Sequence, residues 1–356
     1  MSVIQASLQA LHLGQPQIFK NLAAIPLINP NTQRPGYVTL AQALAKGSAR
    51  ITEVSEGGSV PELLLTNSGA QPILVLDGEE LIGAKQNRIA NLTILAAANN
   101  TTVIPVSCVE AGRWSYRSVD FDLSERAQFA RGRAAKAEAL SMNMKATGTH
   151  GANQHQVWSE IADKQVRMNV LSETAAMADV YDQYHGSVEE YADQVRPVAD
   201  QVGVLFAIDG VVEGMDLFDA PETLAGMLPK LTRSFAIDAL ESPRRDEPHM
   251  ATEPAARFMD RLAAASVDSY PGVGLGNDLR ISAAQVAGGA LVHDGKLIHL
   301  VAFRRFTPDG AATSDQAARN NARTPADTSL SARRYARMQR RDRGRNGNDD
   351  GNNENN

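Results

Sequence analysis

Cysteine, aromatic residues and long apolar runs are scarce in this sequence. Cys108 is the one cysteine among 356 residues, so no disulfide can form within the chain, which fits a reducing compartment. No apolar run approaches the ~18 residues of a membrane-spanning helix. The start, MSVIQASLQALHLGQPQ, has neither the basic segment nor the apolar core of a signal peptide. We therefore expect a cytoplasmic protein with no membrane partner.

Positive charge and metal-ligand patterns are also lacking. The net charge of -6 argues against a protein whose whole surface binds nucleic acid. The seven histidines include no His-x-His pair and no HExxH motif, so we expect no metal site. His150 and His155 lie in the polar segment GTHGANQHQ and are expected to face solvent. Nothing in the sequence identifies a cofactor, which stays unknown.

Hydrophobic patterning predicts an α+β fold. Apolar residues make up 43% of the chain, enough for a sizeable core. Residues 36–110 contain short apolar or alternating runs separated by Gly, Asn and Asp, which is typical of antiparallel strands. Helical spacing follows between about 123 and 200, and strands return from about 202. The expected architecture is an N-terminal antiparallel β sheet or sandwich, a helical middle, and a C-terminal αβ portion with further hairpins.

Four segments divide the chain on this interpretation. A mainly β portion covers 1–120, a helical portion 121–200, and a C-terminal αβ portion 201–306, which could form one composite domain with the first two. Residues 307–356 have almost no large apolar side chain and are predicted to be a disordered tail. Deleting the tail should leave the melting temperature nearly unchanged. Its basic cluster at 333–345 could contact nucleic acid or an acidic partner; the alternative is a solvated tail.

Turn and helix-end signals add local predictions. The pattern strand-Asp-Gly-strand occurs at Asp77, Asp209 and Asp294, and each Asp-Gly pair predicts a tight hairpin turn. The repeated pattern could mark a distant duplication; the alternative is that hairpins favour Asp-Gly. Asp219 is a candidate N-cap for a helix with Pro221 in its first turn. Pro229 is expected to bend or split that helix.

Residues 77–91, DGEELIGAKQNRIAN, place carboxylates, amides and cations between two apolar segments. Such a set suits a ligand that carries phosphate, because Arg can hold phosphate with two parallel hydrogen bonds. Gly83 is expected to mark a bulge or a close backbone approach. The alternative is a loop whose charges pair internally. The candidate ligand-binding residues here are Lys85, Gln86, Asn87, Arg88 and Asn91.

A second polar cluster follows in IPVSCVEAGRW. Arg113 and Trp114 could stack on a base or a sugar and complete the ligand site; alternatively, Trp114 fills the bottom of a sandwich. Cys108 has no histidine close in sequence to act as its base, so packing is favoured over nucleophilic catalysis.

Two carboxylates are candidates for catalysis at the same site. Glu79 or Glu110 could act as general base on a phosphoester or N-glycosidic bond. Lys85 or Arg88 would then stabilise the developing charge.

These two clusters carry a family resemblance. Together with GSVPELLLTN, VWSEI, VGVLFAIDGVVEGMDLF and PKLTRSFAIDAL, they resemble the ADP-ribosylglycohydrolase and rhodanese-phosphatase-associated protein domain over about residues 10–305. The match is most specific in GEELIGAKQNR and PVSCVEAGRW. The resemblance implies a link to prokaryotic conflict systems and to ADP-ribose or nucleotide chemistry. It implies no particular reaction.

Three functions follow as hypotheses. The leading one is a cytoplasmic module that binds a nucleotide-like or ADP-ribose-like ligand, with a nucleotide or a sugar phosphate as partner. The alternative is a hydrolase that acts at the same site. The third is a non-catalytic scaffold, in which the polar clusters are internal struts and the basic tail contacts a partner.

Overall fold

The structure, a computed structural model, describes residues 2–55, 61–115, 118–242 and 252–305. These residues belong to one compact unit that ends at Arg305. The tail predicted for 307–356, with its basic cluster, lies outside the described residues. Within the described ranges, no helix is long and apolar enough to cross a membrane.

Helices and antiparallel strands occur together, which confirms the predicted α+β class. The helices are α1 (Val3–Gln9), α2 (Leu40–Ala45), α3 (Ala130–Thr147), α4 (Gln154–Arg167), α5 (Met177–Gln183), α6 (His185–Gln194), α7 (Pro221–Glu241) and α8 (Thr252–Ala263). The strands are β1 (His12–Leu13), β2 (Gln17–Phe19), β3 (Leu22–Ile28), β4 (Val38–Thr39), β5 (Ala49–Glu53), β6 (Glu62–Asn67), β7 (Ile73–Val75), β8 (Glu79–Gly83), β9 (Arg88–Ala90), β10 (Ile94–Ala96), β11 (Asn100–Cys108), β12 (Phe121–Ala127), β13 (Gln201–Ile208), β14 (Val211–Phe218), β15 (Ser266–Pro271), β16 (Asn277–Ser282), β17 (Val286–His293) and β18 (Lys296–Arg304).

A nine-stranded antiparallel sheet forms the middle layer of the fold. Its order is β1-β3-β13-β14-β18-β17-β16-β15, and β2 also pairs with β3. Both faces are buried: Leu22, Val204 and Phe303 pack in a core with α3 to α7, whereas Ile25, Leu205 and Ala302 pack in a second core with α1 and α8. A strand buried on both faces has an almost continuous apolar sequence, as QVGVLFAI of β13 shows. The N-terminal strands thus belong to the same sheet as the C-terminal ones.

The strands between β3 and α3 build a separate closed barrel. Its order is β11-β6-β5-β12-β8-β9, and β9 closes it by pairing antiparallel with β11, Arg88 opposite Cys108. The predicted N-terminal sheet therefore closes on itself, which removes its exposed edges. Strands β10, β7 and β4 form a small sheet beside it. The apolar core here includes Ile51, Leu65, Leu81, Ala90, Ile104 and Val106.

Two of the three predicted Asp-Gly hairpins are confirmed. Asp209 and Asp294 have φ values of 51° and 48°, each is followed by a Gly with positive φ, and the turns join β13 to β14 and β17 to β18. The hairpin prediction at Asp77 is wrong, because β7 pairs with β10 and β4 whereas β8 pairs with β12 and β9. The Asp77 carboxylate is instead buried against two cations of α3.

Helix α7 differs from its prediction at its N-cap, and of the bend or split expected at Pro229 it lacks the split. Ala220, not Asp219, is its N-cap residue, and the Asp219 carboxylate accepts a hydrogen bond from the Tyr37 hydroxyl. The helix does not split at Pro229 but runs from Pro221 to Glu241. Buried side chains on both sides of Pro229, Leu228 and Leu231 among them, anchor the two halves in the same core.

A candidate ligand site at one end of the barrel

One end of the barrel interior is polar. Ala90, Ile51 and Val106 belong to the barrel core, and side chains two residues apart on a strand point to the same face. Arg88, Glu53 and Cys108 therefore continue these inward rows. The Arg88 side chain is fully buried, the Glu53 side chain is 5% exposed, and their closest charged atoms are 4.0 Å apart. This polar set, with Gln86 and Trp114, is called the barrel-end site below.

Several atoms of the barrel-end site lack hydrogen-bond partners. Arg88 donates through Nη1 to Gln86 Oε1 at 2.8 Å, but its Nε and Nη2 are buried without a partner. Both carboxylate oxygens of Glu53 are likewise buried without a hydrogen-bond partner, and so is Nε1 of Trp158 on α4. A buried polar group without a partner costs about 1–3 kcal/mol, so such groups indicate a place for water or a ligand.

Trp114 covers the barrel-end site from outside. It is 49% exposed, whereas the polar residues beneath it are buried. The guanidinium carbon of Arg88 lies 5.7 Å from the ring centroid, and Lys85 Nζ lies 5.3 Å from it. Both distances permit cation–π attraction. A half-exposed aromatic surface and two cations are therefore held together.

The loop that carries Lys85 and Gln86 is fixed by Arg113. This guanidinium pairs with Glu110 at 2.7 Å. It also donates to the Ala84 and Ser115 carbonyls at 2.8 and 2.9 Å and to Asn87 Oδ1 at 3.1 Å. Arg113 and Asn87 thus position the loop rather than face a ligand.

Gly83 makes the expected close backbone approach beside this loop. Its φ is 133°, and a Cβ there would lie 2.6 Å from the Asp120 carbonyl oxygen. An L side chain would be strained in that conformation and would also clash. Glycine is therefore needed where β8 leaves the barrel.

Cys108 is poorly suited to nucleophilic catalysis. Burial raises the pKa of its thiol, an effect that the nearby Arg88 charge only partly offsets. A protonated thiol is a weak nucleophile. The thiol donates to Gln86 Oε1, and Gln154 of α4 bonds both the backbone N–H and the carbonyl of Cys108. These contacts give Cys108 a structural role.

The structure divides the sequence-predicted set into three groups. Lys85, Gln86, Asn87, Arg88, Glu110, Arg113 and Trp114 come together around the barrel end. Glu79 is not with them: its carboxylate accepts from Lys230 Nζ of α7 at 2.8 Å and from the Leu76 N–H at 2.9 Å. Asn91 lines a different cleft and accepts from the Ser107 hydroxyl at 2.7 Å.

Sequence reasoning missed a charged cluster between α3 and the large sheet. Arg133 of α3 donates to Asp216 at 2.6 Å and to Asp77 at 3.2 Å, and Lys136 donates to Asp77 at 2.6 Å. All four side chains are buried. Arg133 and Lys136 lie three residues apart and so share one helix face, which was the available signal.

Beside this cluster lies a narrow polar cleft with room for little more than one water molecule. Its walls include Asn91, Thr93, Asp278, Arg280 and His299. A signal in the sequence was Gly289, inside an apolar strand where glycine marks a close approach. A Cβ at Gly289 would lie 2.1 Å from Arg280 Nη2.

The expectation that His150 faces solvent is wrong. Its side chain is only 18% exposed, and Nε2 lies 3.5 Å from Asp278 Oδ2. Its backbone carbonyl also accepts a long hydrogen bond from Asn91 at 3.4 Å. His155, by contrast, is exposed as predicted.

Comparison with known proteins places the chain in a family. No group of three or more metal-ligating side chains occurs among the described residues. No curated protein and no solved structure matches the chain. The ARG and Rhodanese-Phosphatase-superfamily-associated Protein domain matches residues 10–303, which include both predicted clusters. The chain therefore belongs to the family defined by that domain.

Proposed function

We propose that the chain is a cytoplasmic module that binds a nucleotide-like or ADP-ribose-like ligand at the barrel-end site. The observation that carries the proposal is Arg88, which is fully buried and has two donor nitrogens without partners. Phosphate and sugar oxygens accept the hydrogen bonds that these nitrogens offer. A single buried cysteine, Cys108, supports a reducing compartment.

Trp114 supports an aromatic group on the ligand. Its ring is half exposed, and a planar base could stack on it with about 1–3 kcal/mol of stabilisation. Lys85 and Arg88 lie within 6 Å of the same ring centroid, so charge and stacking surface are adjacent. A ligand with a base next to phosphate groups uses both features.

A hydrolase at this site would have Glu110 as its base. Glu110 lies at the barrel end but is engaged by Arg113, by the Asn87 N–H at 3.3 Å and by the Thr174 hydroxyl at 3.2 Å. Glu79 pairs with Lys230 instead. Binding without turnover is therefore the function that the geometry supports best.

Calorimetry with ADP-ribose, NAD and AMP tests the binding proposal. At least one should bind wild type, and Trp114→Leu and Lys85→Gln should each weaken that ligand at least tenfold, which is about 1.4 kcal/mol. Arg50→Gln is the matched control, since it removes an exposed cation of the barrel strand β5 and should leave affinity unchanged. If none of the three compounds binds wild type, the proposal fails.

The same ligand separates binding from catalysis. Under the proposal, wild type and Glu110→Gln both leave it chemically intact over hours, as chromatography would show. Turnover that disappears in Glu110→Gln while affinity persists would establish the hydrolase instead.

A further inference from the structure

We propose that the outer edge of strand β15 is a self-association surface, on which a second copy of this chain pairs through its own β15. Strand β15 ends the order of the nine-stranded sheet and pairs antiparallel with β16 along its whole length. None of the other described strands pairs with its outer edge. The exposed residues of β15 are Ser266, Val267, Ser269 and Pro271. An exposed strand edge is a template for pairing with another chain.

The register of the β15–β16 hairpin identifies the backbone groups on this edge. The Gly272 N–H donates to the Gly276 carbonyl at 3.0 Å, and the preceding pair is Pro271 opposite Asn277. Bonded and non-bonded pairs alternate along an antiparallel ladder, so the even-numbered residues of β15 bond to β16 and the odd-numbered ones point away from it. The outward groups are the N–H and C=O of Val267, the N–H and C=O of Ser269, and the carbonyl of Pro271.

The opposite edge of the sheet is better protected. There β1 and β2, with two and three residues, pair with β3, and very short edge strands limit pairing with other chains. Strand β15 has six residues. Its Pro271 lacks an N–H, as is usual for proline on an edge, but it is the last residue of the strand and leaves the outward groups of Val267 and Ser269 in place.

Exposed apolar side chains flank both faces of the β15 edge. Val267 is 39% exposed on the face of the core with α1 and α8, since its partner Ile281 lies in that core. On the other face, Lys145 of α3 pairs with Asp268 at 3.2 Å. Met142, three residues earlier and so on the same side of α3, is 64% exposed. Each copy thus brings two apolar side chains, one cation and one carboxylate, a set that complements itself.

The hydrogen-bonding groups of the edge also complement themselves, which identifies a second copy as the occupant. With a two-fold axis at Ser269, the two Ser269 residues exchange N–H···O bonds, and each Val267 N–H meets the Pro271 carbonyl of the other copy. Every outward N–H is then bonded. This register sets Asp268 opposite Tyr270, whereas an axis at Asp268 would place two carboxylates opposite each other, which is unfavourable.

Sedimentation velocity of the full chain at rising concentration tests the proposal. One strand pair makes a small interface, so we expect a weak dimer that dissociates on dilution. Val267→Lys should weaken it by about tenfold or more, because charge on an edge opposes strand pairing. Ser269→Pro should do the same, since it removes an outward N–H and leaves the bonds to β16. Val103→Lys is the matched control, a 46% exposed valine on β11, which pairs with both β6 and β9.

A cysteine at the two-fold axis tests the register. The native Cys108 is buried, and residues of a bonded antiparallel pair have Cα atoms about 5.5 Å apart, within the range of a disulfide. Ser269→Cys should therefore form a covalent dimer on mild oxidation much faster than Ser159→Cys, an exposed serine on α4. Circular dichroism should show every variant folded.

Three results would overturn the proposal. The first is a chain that stays monomeric at every concentration, in which case the edge is free for a strand of another protein. The second is a dimer that survives in both Val267→Lys and Ser269→Pro, which would place the contact on another surface. The third is a Ser269→Cys variant that cross-links no faster than Ser159→Cys.

Discussion

Two of the buried arginines, Arg88 and Arg133, differ in how many hydrogen bonds they make. Arg133 makes three hydrogen bonds to the carboxylates of Asp77 and Asp216, whereas Arg88 makes one to an amide and faces Glu53 at 4.0 Å. Burial removes the hydration of each guanidinium, and only Arg133 replaces it with several hydrogen bonds to carboxylates. Burial of a charge alone therefore does not indicate a functional site. The barrel-end site is distinguished by its buried donor and acceptor atoms that have no hydrogen-bond partner.

Ionisation behaviour agrees with this reading of the Arg133 cluster. Burial opposes charge on Asp216, but the adjacent Arg133 outweighs it and holds the pKa of Asp216 below its ordinary value. Burial likewise opposes charge on Arg133, yet Asp216 and Asp77 keep its pKa above the usual range. Arg133 and Asp216 therefore stabilise each other's charged forms.

The largest loss of stability should come from breaking the Arg133 cluster. Arg133→Met leaves Asp216 and Asp77 buried with too few partners, so we expect a loss of about 3–5 kcal/mol in the free energy of unfolding. Urea denaturation measures it. Arg50→Met, which removes a 61% exposed arginine paired with Asp120, should cost less than about 1 kcal/mol. Equal losses in the two variants would contradict the comparison.

A second buried charged cluster, around Glu241, should make the free energy of unfolding depend on pH. Burial raises the pKa of Glu241, but Lys164 and Arg167 outweigh that effect and lower it from 4.5 to about 2. Because the pKa is depressed in the folded state, the stabilisation is present above about pH 4.5 and is lost as the pH falls toward 2. The difference corresponds to about 3 kcal/mol.

Glu241→Gln should therefore lower the free energy of unfolding at pH 7 and flatten its dependence on pH between 4.5 and 2. Asp193→Asn is the control, since Asp193 is 69% exposed and forms only a surface pair with Arg196. A profile of Glu241→Gln that stays parallel to that of wild type would refute the assignment.

Glu79 tests whether the candidate carboxylates belong to one site. Glu79→Gln breaks a buried pair with Lys230, so we expect a loss of about 2 kcal/mol in stability. Ligand affinity at the barrel end should stay unchanged, because Glu79 contacts none of its residues. Adding Lys230→Met should recover part of the stability. If the variant instead lost ligand affinity and kept its stability, Glu79 would belong to the ligand site.

The smallest change in stability should come from removing the two charges of the barrel-end site. The double variant Arg88→Met with Glu53→Gln removes two buried charges that make a single hydrogen bond between them, from Arg88 to Gln86, so we expect the free energy of unfolding to change by less than about 1 kcal/mol. Affinity for the ligand identified by calorimetry should nevertheless fall at least tenfold. A stability loss of several kcal/mol, with no ligand found, would favour the scaffold hypothesis.

Local sequence signals succeeded where the chemistry was local. Asp209 and Asp294 sit in turns whose positive φ values Asp-Gly accommodates, and that requirement involves only neighbouring residues. Asp77 has the same dipeptide but is placed by α3, through Arg133 and Lys136. A turn motif cannot report which sheet each flanking strand joins, so the hairpin prediction failed there.

The candidate site was predictable in part for a similar reason. Register brings Arg88 opposite Cys108, so two motifs that are close in sequence meet across one strand pair. Glu53 reaches the site from β5 and Trp158 from α4, and neither position carries a distinctive local pattern. The closure of the barrel depends on the whole set of strand pairings, which alternation within single strands does not determine.

The position of β3 has a consequence for synthesis. Residues Leu22–Ile28 pair along their length with Gln201–Ile208, and the whole barrel and five helices, α2 to α6, lie between them in the chain. At about 5–20 residues per second on the ribosome, an N-terminal strand so distant from its partner waits for seconds to tens of seconds. The barrel, whose strands follow one another closely, can close during that interval. The edge of β3 that later pairs with β13 is then left open on the nascent chain, whereas β1 and β2 can already pair with β3. We therefore expect this apolar edge to need protection from other chains until β13 has been made.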